Sequence, residues 1–596
     1  MKKLGGKMIR LLKNMRAKEW ALVVVSICFI VLQVHLDLKL PDYMSDITVL
    51  VQTKGSEISE VFTAGGKMLA CALGSLVSAV IVGFFAARIA ATFSMRLREN
   101  VYNKVMSYTD KEVNKFSTAS LITRTTNDIT QVQMVMVLGL QVMIKAPIMA
   151  VMAIGKISTK SFEWMALTIG IVVAVVIMLG FITLYAMPRF KKIQWLTDDL
   201  NKVTRENLTG LMVVRAYNAE DYQEQKFDVA NNNLTKTNLQ AFLCMGIMMP
   251  GINLAMNGLT LGIYWIGAIL INNVALTGMA AIKDRVGLFS DMVVFTSYAM
   301  QVLMAFLLLA MIFIMLPRAS VAANRINEVL DTDISMKDGE KMQGLDGVKG
   351  EVEFKNVSFS YPDAGDDVIH DISFTAHRGE TVALIGATGS GKSTIINLIP
   401  RIYDATKGQV LVDGVDVKEY SEKQLRNKIG FVPQKAYLFS GTVESNVGYG
   451  EEEVHMDDIK KALNIAQATD FIQGEDGYKK EVAQTGSNFS GGQKQRLSIA
   501  RAIAKQPEIL VFDDSFSALD YKTDRVLRET IKKEIGDTTN IIVAQRIGTI
   551  KDADRILVIE DGRIVGDGTH QQLMKNCDTY QEIAYSQLSK EELENE

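Results

Sequence analysis

Residues 382–394 read Val-Ala-Leu-Ile-Gly386-Ala387-Thr388-Gly389-Ser390-Gly391-Lys392-Ser393-Thr394, and this stretch decides the fold of the second half of the chain. The apolar run 382–385 predicts a buried strand, and Gly-x-x-x-x-Gly-Lys-Ser after it is typical of a phosphate-binding loop. Its glycines let backbone N–H groups approach phosphates. Lys392 is expected to reach the β and γ phosphates, and Ser393 to ligate Mg²⁺. A helix predicted over 394–400 directs its positive end at the same phosphates.

Two further segments extend this site. A second buried strand, 509–512, ends at Asp513, and a carboxylate in that position holds Mg²⁺ in phosphate-loop enzymes. Between the motifs, Ser490-Gly491-Gly492-Gln493 precedes a helical run over 494–504, which predicts a second anion site at a helix start. One phosphate-loop fold does not need two such sites, so the second is expected to serve ATP held by another chain. The alternative is a glycine-rich helix cap.

The charges divide the 596 residues into two physically different halves. Residues 1–330 carry 32 Lys and Arg against 21 Asp and Glu, whereas residues 331–596 carry 32 against 46. Without a concentrated basic domain, the pattern excludes a nucleic-acid-binding protein. The 48% of hydrophobic residues excludes a disordered chain. The four cysteines exclude a disulfide framework, and none of their spacings suits a metal site.

The first half is predicted to cross a lipid bilayer. A spanning helix needs about 20 apolar residues. Six windows approach or exceed this length with at most one Lys, Arg, Asp or Glu, namely 20–36, 68–87, 134–154, 164–187, 241–282 and 292–317. A buried helix of a soluble protein imitates one such window, but not six.

The basic residues predict the orientation, because Lys and Arg concentrate in cytoplasmic loops. Seven lie in residues 1–19, six in 94–133 and eight in 188–240. The amino terminus and both long connections are therefore expected in the cytoplasm, with residues 1–19 as an amphipathic helix along the inner membrane surface. Both connections show helical periodicity and are predicted to turn near 115–123 and 209–219.

Several polar residues fall inside the predicted spans. Lys145, near Pro147, is expected to face a cavity or a charged partner. The alternatives are a misplaced helix end or a lysine that extends to the membrane surface. Asn253, Asn257 and Gln301 are expected to bond helix to helix rather than to line a pathway.

The order of these motifs resembles the ATP-binding cassette (ABC) family along the whole chain. The resemblance implies an α-helical membrane domain with six transmembrane helices of exporter type, followed by an α/β P-loop ATPase domain of the ABC type. The expected organisation is an amphipathic helix over 1–19, a transmembrane domain over 20–320, a linker over 321–349 and a cassette over 350–590.

The resemblance also assigns roles to individual residues. Tyr361 is similar to the aromatic residue that stacks on adenine, and Gln434 to the glutamine that senses Mg²⁺. Residues 490–493 are identified as the family's signature segment, which acts on the partner's ATP. Asp520 ends the segment 517–520, which resembles the loop that crosses the dimer interface. Residues 116–124 and 213–216 resemble the segments that couple the cassette to the membrane domain.

Two positions depart from the family pattern. The family places Glu directly after the Mg²⁺ aspartate, but here the residue is Asp514, whose carboxylate falls back by about 1 Å, enough to cost about 100-fold in rate. The family places His in the switch motif, but here Gln545 stands, and its amide cannot carry a positive charge. Both losses weaken hydrolysis and neither removes a phosphate contact.

The intact signature segment beside these departures predicts a heterodimer. The partner is expected to be a different half-transporter with intact Glu and His, and the pair to export small amphipathic molecules through a bacterial cell membrane, driven by ATP with Mg²⁺ mainly at the partner's site. The alternatives are a homodimer with slow hydrolysis through Asp514, a membrane sensor switched by ATP, and an importer of the same fold.

Overall fold

The computed structural model describes residues 10–52, 57–158, 161–274, 279–362, 364–450, 455–472 and 477–587. The chain divides into two compact units. The membrane unit comprises Met1–Met106 and Thr118–Thr332, and the cassette unit comprises Ser107–Ser117 and Asp333–Glu596. Most of the predicted amphipathic helix over 1–19 lies outside the described residues.

The membrane unit consists of long helices. They are α1 (Ala17–Gln52), α2 (Ile58–Met106), α4 (Thr118–Thr125), α5 (Asn127–Leu138), α6 (Lys145–Ile157), α7 (Phe162–Thr209), α8 (Leu211–Ala216), α9 (Glu220–Gly246), α10 (Met248–Asn272) and α11 (Met279–Asp331). A π-helical turn, Gly139–Met143, joins α5 to α6. Among the described residues, six helical stretches are long and apolar enough to cross a membrane, which confirms the predicted spans.

Close packing holds these helices together. Trp164 of α7 is 1% exposed and packs at a tilt against Phe295 of α11, with ring centroids 5.4 Å apart. It donates its indole N–H to the Ile263 carbonyl of α10 at 3.1 Å. A Cβ on Gly267 would lie 2.5 Å from the Met292 sulfur. Small residues at such crossings let helix backbones approach, as membrane helices require.

Two lysines of α6 are paired with aspartates of α1. Lys145 of α6 lies 3.4 Å from Asp37 of α1, and Lys156 lies 2.6 Å from Asp42. Lys145 therefore has the charged partner that its depth predicted. The Gln301 Oε1 atom is buried and accepts no hydrogen bond from the described residues.

The helix α11 continues to Asp331, so the predicted domain boundary at residue 320 falls inside it. Its buried residues Ala319, Ala323, Ile326 and Val329 recur at helical spacing beyond that boundary. Because packing continues along this face, the helix does not end where the apolar window ends.

The cassette unit contains two main sheets. The strands are β1 (Val352–Phe359), β2 (Ile369–Ala376), β3 (Thr381–Ile385), β4 (Lys407–Val412), β5 (Val415–Asp416), β6 (Ile429–Val432), β7 (Gly441–Thr442), β8 (Glu481–Val482), β9 (Ile509–Asp513), β10 (Thr539–Val543), β11 (Arg555–Glu560) and β12 (Arg563–Gly568). The six-stranded sheet has the order β12-β11-β3-β10-β9-β6, and the antiparallel sheet has the order β2-β1-β4-β5.

The helices of this unit are α3 (Asp110–Phe116), α12 (Lys392–Leu398), α13 (Glu422–Asn427), α14 (Val443–Val447), α15 (Met456–Ile465), α16 (Gly491–Ala504), α17 (Tyr521–Glu534), α18 (Ile547–Ile550), α19 (His570–Asn576) and α20 (Asp578–Gln587). Strands β6, β9, β10 and β3 run parallel, with Val543 paired to both Asp513 and Leu384. Their carboxyl ends therefore meet at one sheet edge, where ligands bind in such folds.

The short helix α3 belongs to the cassette unit although it follows α2 in sequence. The backbone N–H of Ser335 donates to the Glu112 carboxylate at 3.2 Å, and Tyr403 donates its hydroxyl to Asp110 at 3.2 Å. Burial raises the pKa of Glu112, but hydrogen bonds from Thr109 and Ser335 outweigh it and lower that pKa overall. The predicted coupling segment 116–124 is thus divided between the units after Ser117.

Candidate functional site

The phosphate-binding loop, residues 386–393, joins β3 to α12 at this sheet edge. Gly389 and Gly391 have φ angles of 87° and 97°, which L side chains rarely adopt. A Cβ on Gly391 would lie 2.7 Å from Ile369 Cγ2. The glycines therefore let the loop take a tight path, and Ala387, Thr388 and Gly389 remain exposed.

Lys392 is held against this loop. Its side chain is buried, and Nζ donates to the carbonyl oxygens of Gly386 at 2.8 Å and Ala387 at 2.7 Å. Burial lowers the pKa of the ammonium group, and the carboxylates of Asp514 and Asp513 act in the opposite direction. A cation in this position can contact phosphate groups bound by the loop.

The predicted metal ligands from two elements meet. Ser393 donates its hydroxyl to Asp513 Oδ1 at 2.8 Å, which joins the start of α12 to the end of β9. Burial raises the pKa of Asp513, Asp514 also raises it, and the Ser393 hydrogen bond and Lys392 lower it. A hydroxyl and a carboxylate are oxygen donors of the kind that Mg²⁺ prefers, so these residues fit the expected ion.

Asp514 accepts hydrogen bonds from two other side chains of the site. Its Oδ2 atom accepts a hydrogen bond from the Gln545 amide at 2.8 Å and another from the Gln434 amide at 3.3 Å. Its φ angle is 45°, in the left-handed region that Asp tolerates better than most residues. The ends of β9, β10 and β6 are thus joined through one buried carboxylate.

Tyr361 and Thr394 form the other end of the site. The Tyr361 hydroxyl lies 3.1 Å from the Thr394 hydroxyl, and its half-buried ring packs edge-on against Phe359 and Tyr403. This contact places the aromatic ring beside the first turn of α12, and the adenine-stacking role of Tyr361 stays a prediction.

The signature segment forms the first turn of α16. Ser490 Oγ accepts from the Gln493 N–H at 3.3 Å, and Gln493 Oε1 accepts from the Ser490 N–H at 3.0 Å. This capping box satisfies the helix start, while Ser490 and Gly491 stay exposed. Gly492 lies close to the Ala518 carbonyl, 3.2 Å from a Cβ placed there.

The structure brings together only part of the predicted set. The loop, Asp513, Asp514, Gln434 and Gln545 form one hydrogen-bonded site. None of the hydrogen bonds described for this chain joins the signature segment to that site. Asp520 is occupied as the cap of α17, because it accepts from the Thr523 N–H at 3.0 Å, and this bond lowers its pKa.

Two features were not anticipated from the sequence. The first is the contact of α3 with the cassette unit through Glu112. The start of this helix could have been predicted, because Thr109-x-x-Glu112 is a capping-box pattern. The second feature is Gln587 of α20, whose amide bonds the backbone on both sides of Arg546. No local pattern marks that glutamine.

Family models match both units. The model described as the ABC transporter matches residues 369–517, and the model described as the ABC transporter transmembrane region matches residues 22–306. The first range covers the phosphate-binding loop, the signature segment and Asp514. The second covers most of the first and sixth apolar stretches and all of the four between them.

Relatives match most of the chain. An uncharacterised ABC transporter ATP-binding protein of Mycobacterium tuberculosis is 40% identical over 529 residues, 88% of this chain and 87% of the relative. A putative multidrug export ATP-binding/permease protein of Bacillus subtilis is 34% identical over 63% of each chain. The solved structure of a bacterial Atm1-family ABC exporter with ATP bound has a TM-score of 0.78 and 25% identity, and covers 96% of this chain and 99% of the other.

Proposed function

The chain belongs to the ABC transporter family, as an exporter half-transporter with six membrane helices and one ATPase cassette. We propose that it works in a heterodimer, and that the ATP site formed by this chain's phosphate-binding loop mainly holds nucleotide. Hydrolysis in this proposal occurs chiefly at the second site, which pairs this chain's signature segment with the partner's phosphate-binding loop. The single observation that carries the proposal is the environment of Asp514.

Asp514 is poorly arranged to activate water. Its side chain is one methylene shorter than the family's glutamate, and its Oδ2 atom is already bonded by two neutral amides, those of Gln545 and Gln434. A carboxylate displaced by about 1 Å loses about 100-fold in rate. The Gln545 amide can hold a γ-phosphate but brings no positive charge to the transition state.

The groups that bind nucleotide are retained. Lys392 lies against the loop, and Ser393 and Asp513 are already joined at 2.8 Å, with Gln434 two residues beyond β6. These groups support binding of ATP with Mg²⁺, in which the ion would neutralise phosphate charge. Binding that survives while hydrolysis is weakened describes a site that holds ATP.

The surface features support a partner chain. Ser490 and Gly491 are exposed at the start of α16, where helix N–H groups attract phosphate. Helix α8 exposes Met212 and Val213, which are 84% and 61% accessible, and this exposure leaves the predicted coupling segment 213–216 open to contact with a cassette. The proposed partner is a different half-transporter that supplies Glu and His at the matching positions.

The substrate is proposed to be a small amphipathic molecule. The predicted spans carry few charges, and Lys145 and Lys156 of α6 are paired with Asp37 and Asp42 of α1. The Bacillus subtilis relative is named a multidrug export protein, which agrees with such substrates. The excess of basic residues in 1–19, 94–133 and 188–240 supports a cytoplasmic amino terminus and a cytoplasmic cassette in this proposal.

Restoring the family residues tests the proposal. Asp514→Glu combined with Gln545→His is expected to raise ATP turnover at this chain's site by about 100-fold, because the base moves forward and a cation becomes available. Turnover is measured in the purified complex after the catalytic Glu of the partner has been changed to Gln. Asp514→Asn with Gln545→His is the matched control and should show no rise.

The native mass of the gently extracted complex, with identification of each chain, tests the heterodimer itself. Two different half-transporters are expected. Two identical chains would instead assign all turnover to Asp514 and Gln545 and overturn the asymmetric arrangement. Uptake of an amphipathic dye into inverted membrane vesicles, compared with and without ATP, separates export from an ATP-switched sensor.

A further inference from the structure

Helix α20 is bound by one side chain to residues 545–547, which are called the switch segment. Gln587 Oε1 accepts the backbone N–H of Ile547 at 2.9 Å, and Gln587 Nε2 donates to the Gln545 carbonyl at 2.7 Å. A single amide therefore spans Arg546 and joins the residues before and after it.

Neither backbone group has another hydrogen-bond partner among the described residues. Ile547 is fully buried and begins the four-residue helix α18, whose preceding residue Arg546 provides no side-chain cap. A buried N–H left without an acceptor costs about 1–3 kcal/mol. Gln587, on a helix distant in sequence, thus supplies the hydrogen-bond acceptor that Arg546 does not provide.

The helix that carries Gln587 is itself well anchored. Tyr580 and Ala584 are fully buried, and the Tyr580 hydroxyl lies 2.7 Å from His570 Nδ1. Residues 580, 584 and 587 share one face of a helix, because they are spaced by four and three residues. The amide of Gln587 is therefore presented to the switch segment by a packed element.

The switch segment leads directly to the site. The Gln545 side chain donates to Asp514 Oδ2 at 2.8 Å, and Arg546 reaches the Ser517 carbonyl at 3.4 Å. Moving the Gln545 backbone by a fraction of an ångström would move its amide relative to Asp514 and to a γ-phosphate.

We propose that Gln587 is a positioning residue for the switch glutamine, and that through it α20 sets the preference of this site for ATP over ADP. The inference rests on the proposed role of Gln545 at the γ-phosphate. ADP lacks that phosphate, so its affinity does not depend on where the Gln545 amide lies. A residue needed only for folding would affect both nucleotides alike.

The test uses the full complex and photolabelling of this chain by 8-azido-ATP, competed with ATP or ADP. Gln587→Ala is expected to weaken ATP competition about three- to tenfold and to leave ADP competition within about twofold, as for the loss of one or two hydrogen bonds. Gln587→Glu keeps the acceptor for Ile547 but loses the donor to Gln545, so it should weaken ATP to an intermediate extent.

Gln581→Ala is the matched control. That glutamine also lies on α20 and donates to a backbone carbonyl, of Met574 at 2.9 Å, but it does not contact the switch segment. Its nucleotide preference should equal that of the unchanged protein. Equal losses of ATP and ADP affinity in Gln587→Ala, or no loss at all, would overturn the inference.

Gln545→Ala separates this inference from the proposed function. If Gln545→Ala lowers the ATP preference and Gln587→Ala does not, only the positioning role is wrong. If Gln545→Ala leaves the preference unchanged, the proposed γ-phosphate contact is wrong, and the inference built on it is overturned as well.

Discussion

The phosphate-binding loop and the signature segment are both glycine-rich and both precede a helix, but they are completed in different ways. In the loop, Ser390 and Lys392 are buried, and Ser393 bonds Asp513 from another strand. In the signature segment, Ser490 and Gln493 bond each other, and Gly491 faces open space. The loop is therefore bonded to other elements of its own chain, whereas the signature segment bonds within itself as a helix cap and remains exposed.

The loop and the signature segment have a similar glycine-rich composition but different surroundings. Helix N–H groups attract anions in both places. Around the loop, the chain adds the buried Lys392 ammonium group and the oxygen atoms of Ser393 and Asp513. In the signature segment, Ser490 and Gln493 are used in the capping box, and our proposal is that a phosphate there belongs to ATP held by the partner. Three predictions test this contrast.

The largest effect is expected for Lys392→Ala. Loss of the buried ammonium group should weaken ATP binding to this chain about 30- to 5000-fold, because removing one partner of a buried charge pair costs about 2–5 kcal/mol. Labelling of this chain by 8-azido-ATP measures the effect. Lys494→Ala, which removes the lysine directly after the signature segment, is the control. A comparable loss in that variant would remove the distinction between the two motifs.

The same substitution in the two motifs should have opposite consequences for folding. Gly391→Ala is expected to destabilise the protein by about 2–3 kcal/mol, because φ is 97° and the new Cβ would lie 2.7 Å from Ile369. Gly491→Ala meets no atom within 4 Å and should be neutral or stabilise by less than about 1 kcal/mol. Thermal melting of the detergent-solubilised complex measures both. Equal destabilisation would show that the exposed segment is packed in the assembled state.

The smallest effect is expected for Ser490→Ala. Removing the side-chain acceptor of the capping box should cost about 1 kcal/mol of stability, measured by thermal melting. Ser490→Thr keeps an acceptor and should restore most of it. If Ser490→Ala were to leave stability unchanged but stop hydrolysis, the serine would serve only the partner's ATP and not its own helix.

Much of the fold followed from local patterns. The six membrane helices follow from runs of apolar residues, because a bilayer demands about 20 such residues and internal backbone hydrogen bonds. The strand that precedes Gly386 follows from a short buried run. Helix ends were harder to predict, because α11 continues to Asp331 through packing that hydropathy does not report.

The candidate site was predictable in its residue types and less so in its connections. Lys392, Ser393 and Asp513 are recognisable because phosphate and Mg²⁺ chemistry demands them at a given spacing. The hydrogen bonds to Asp514 depend on three parallel strands, β6, β9 and β10, that end at one edge, and no local stretch of sequence contains all three. The assignment of Ser107–Ser117 to the cassette unit likewise depends on long-range contacts.

The sequence by itself therefore determined the membrane helices, the phosphate-binding loop and the two departures at Asp514 and Gln545, because each is encoded in adjacent residues or in hydropathy. Only the tertiary structure decided that Gln434 and Gln545 share Asp514, that Lys145 is paired with Asp37, and that Gln587 holds the switch segment. Such contacts join residues distant in sequence, and their geometry arises only when sheets and helices pack.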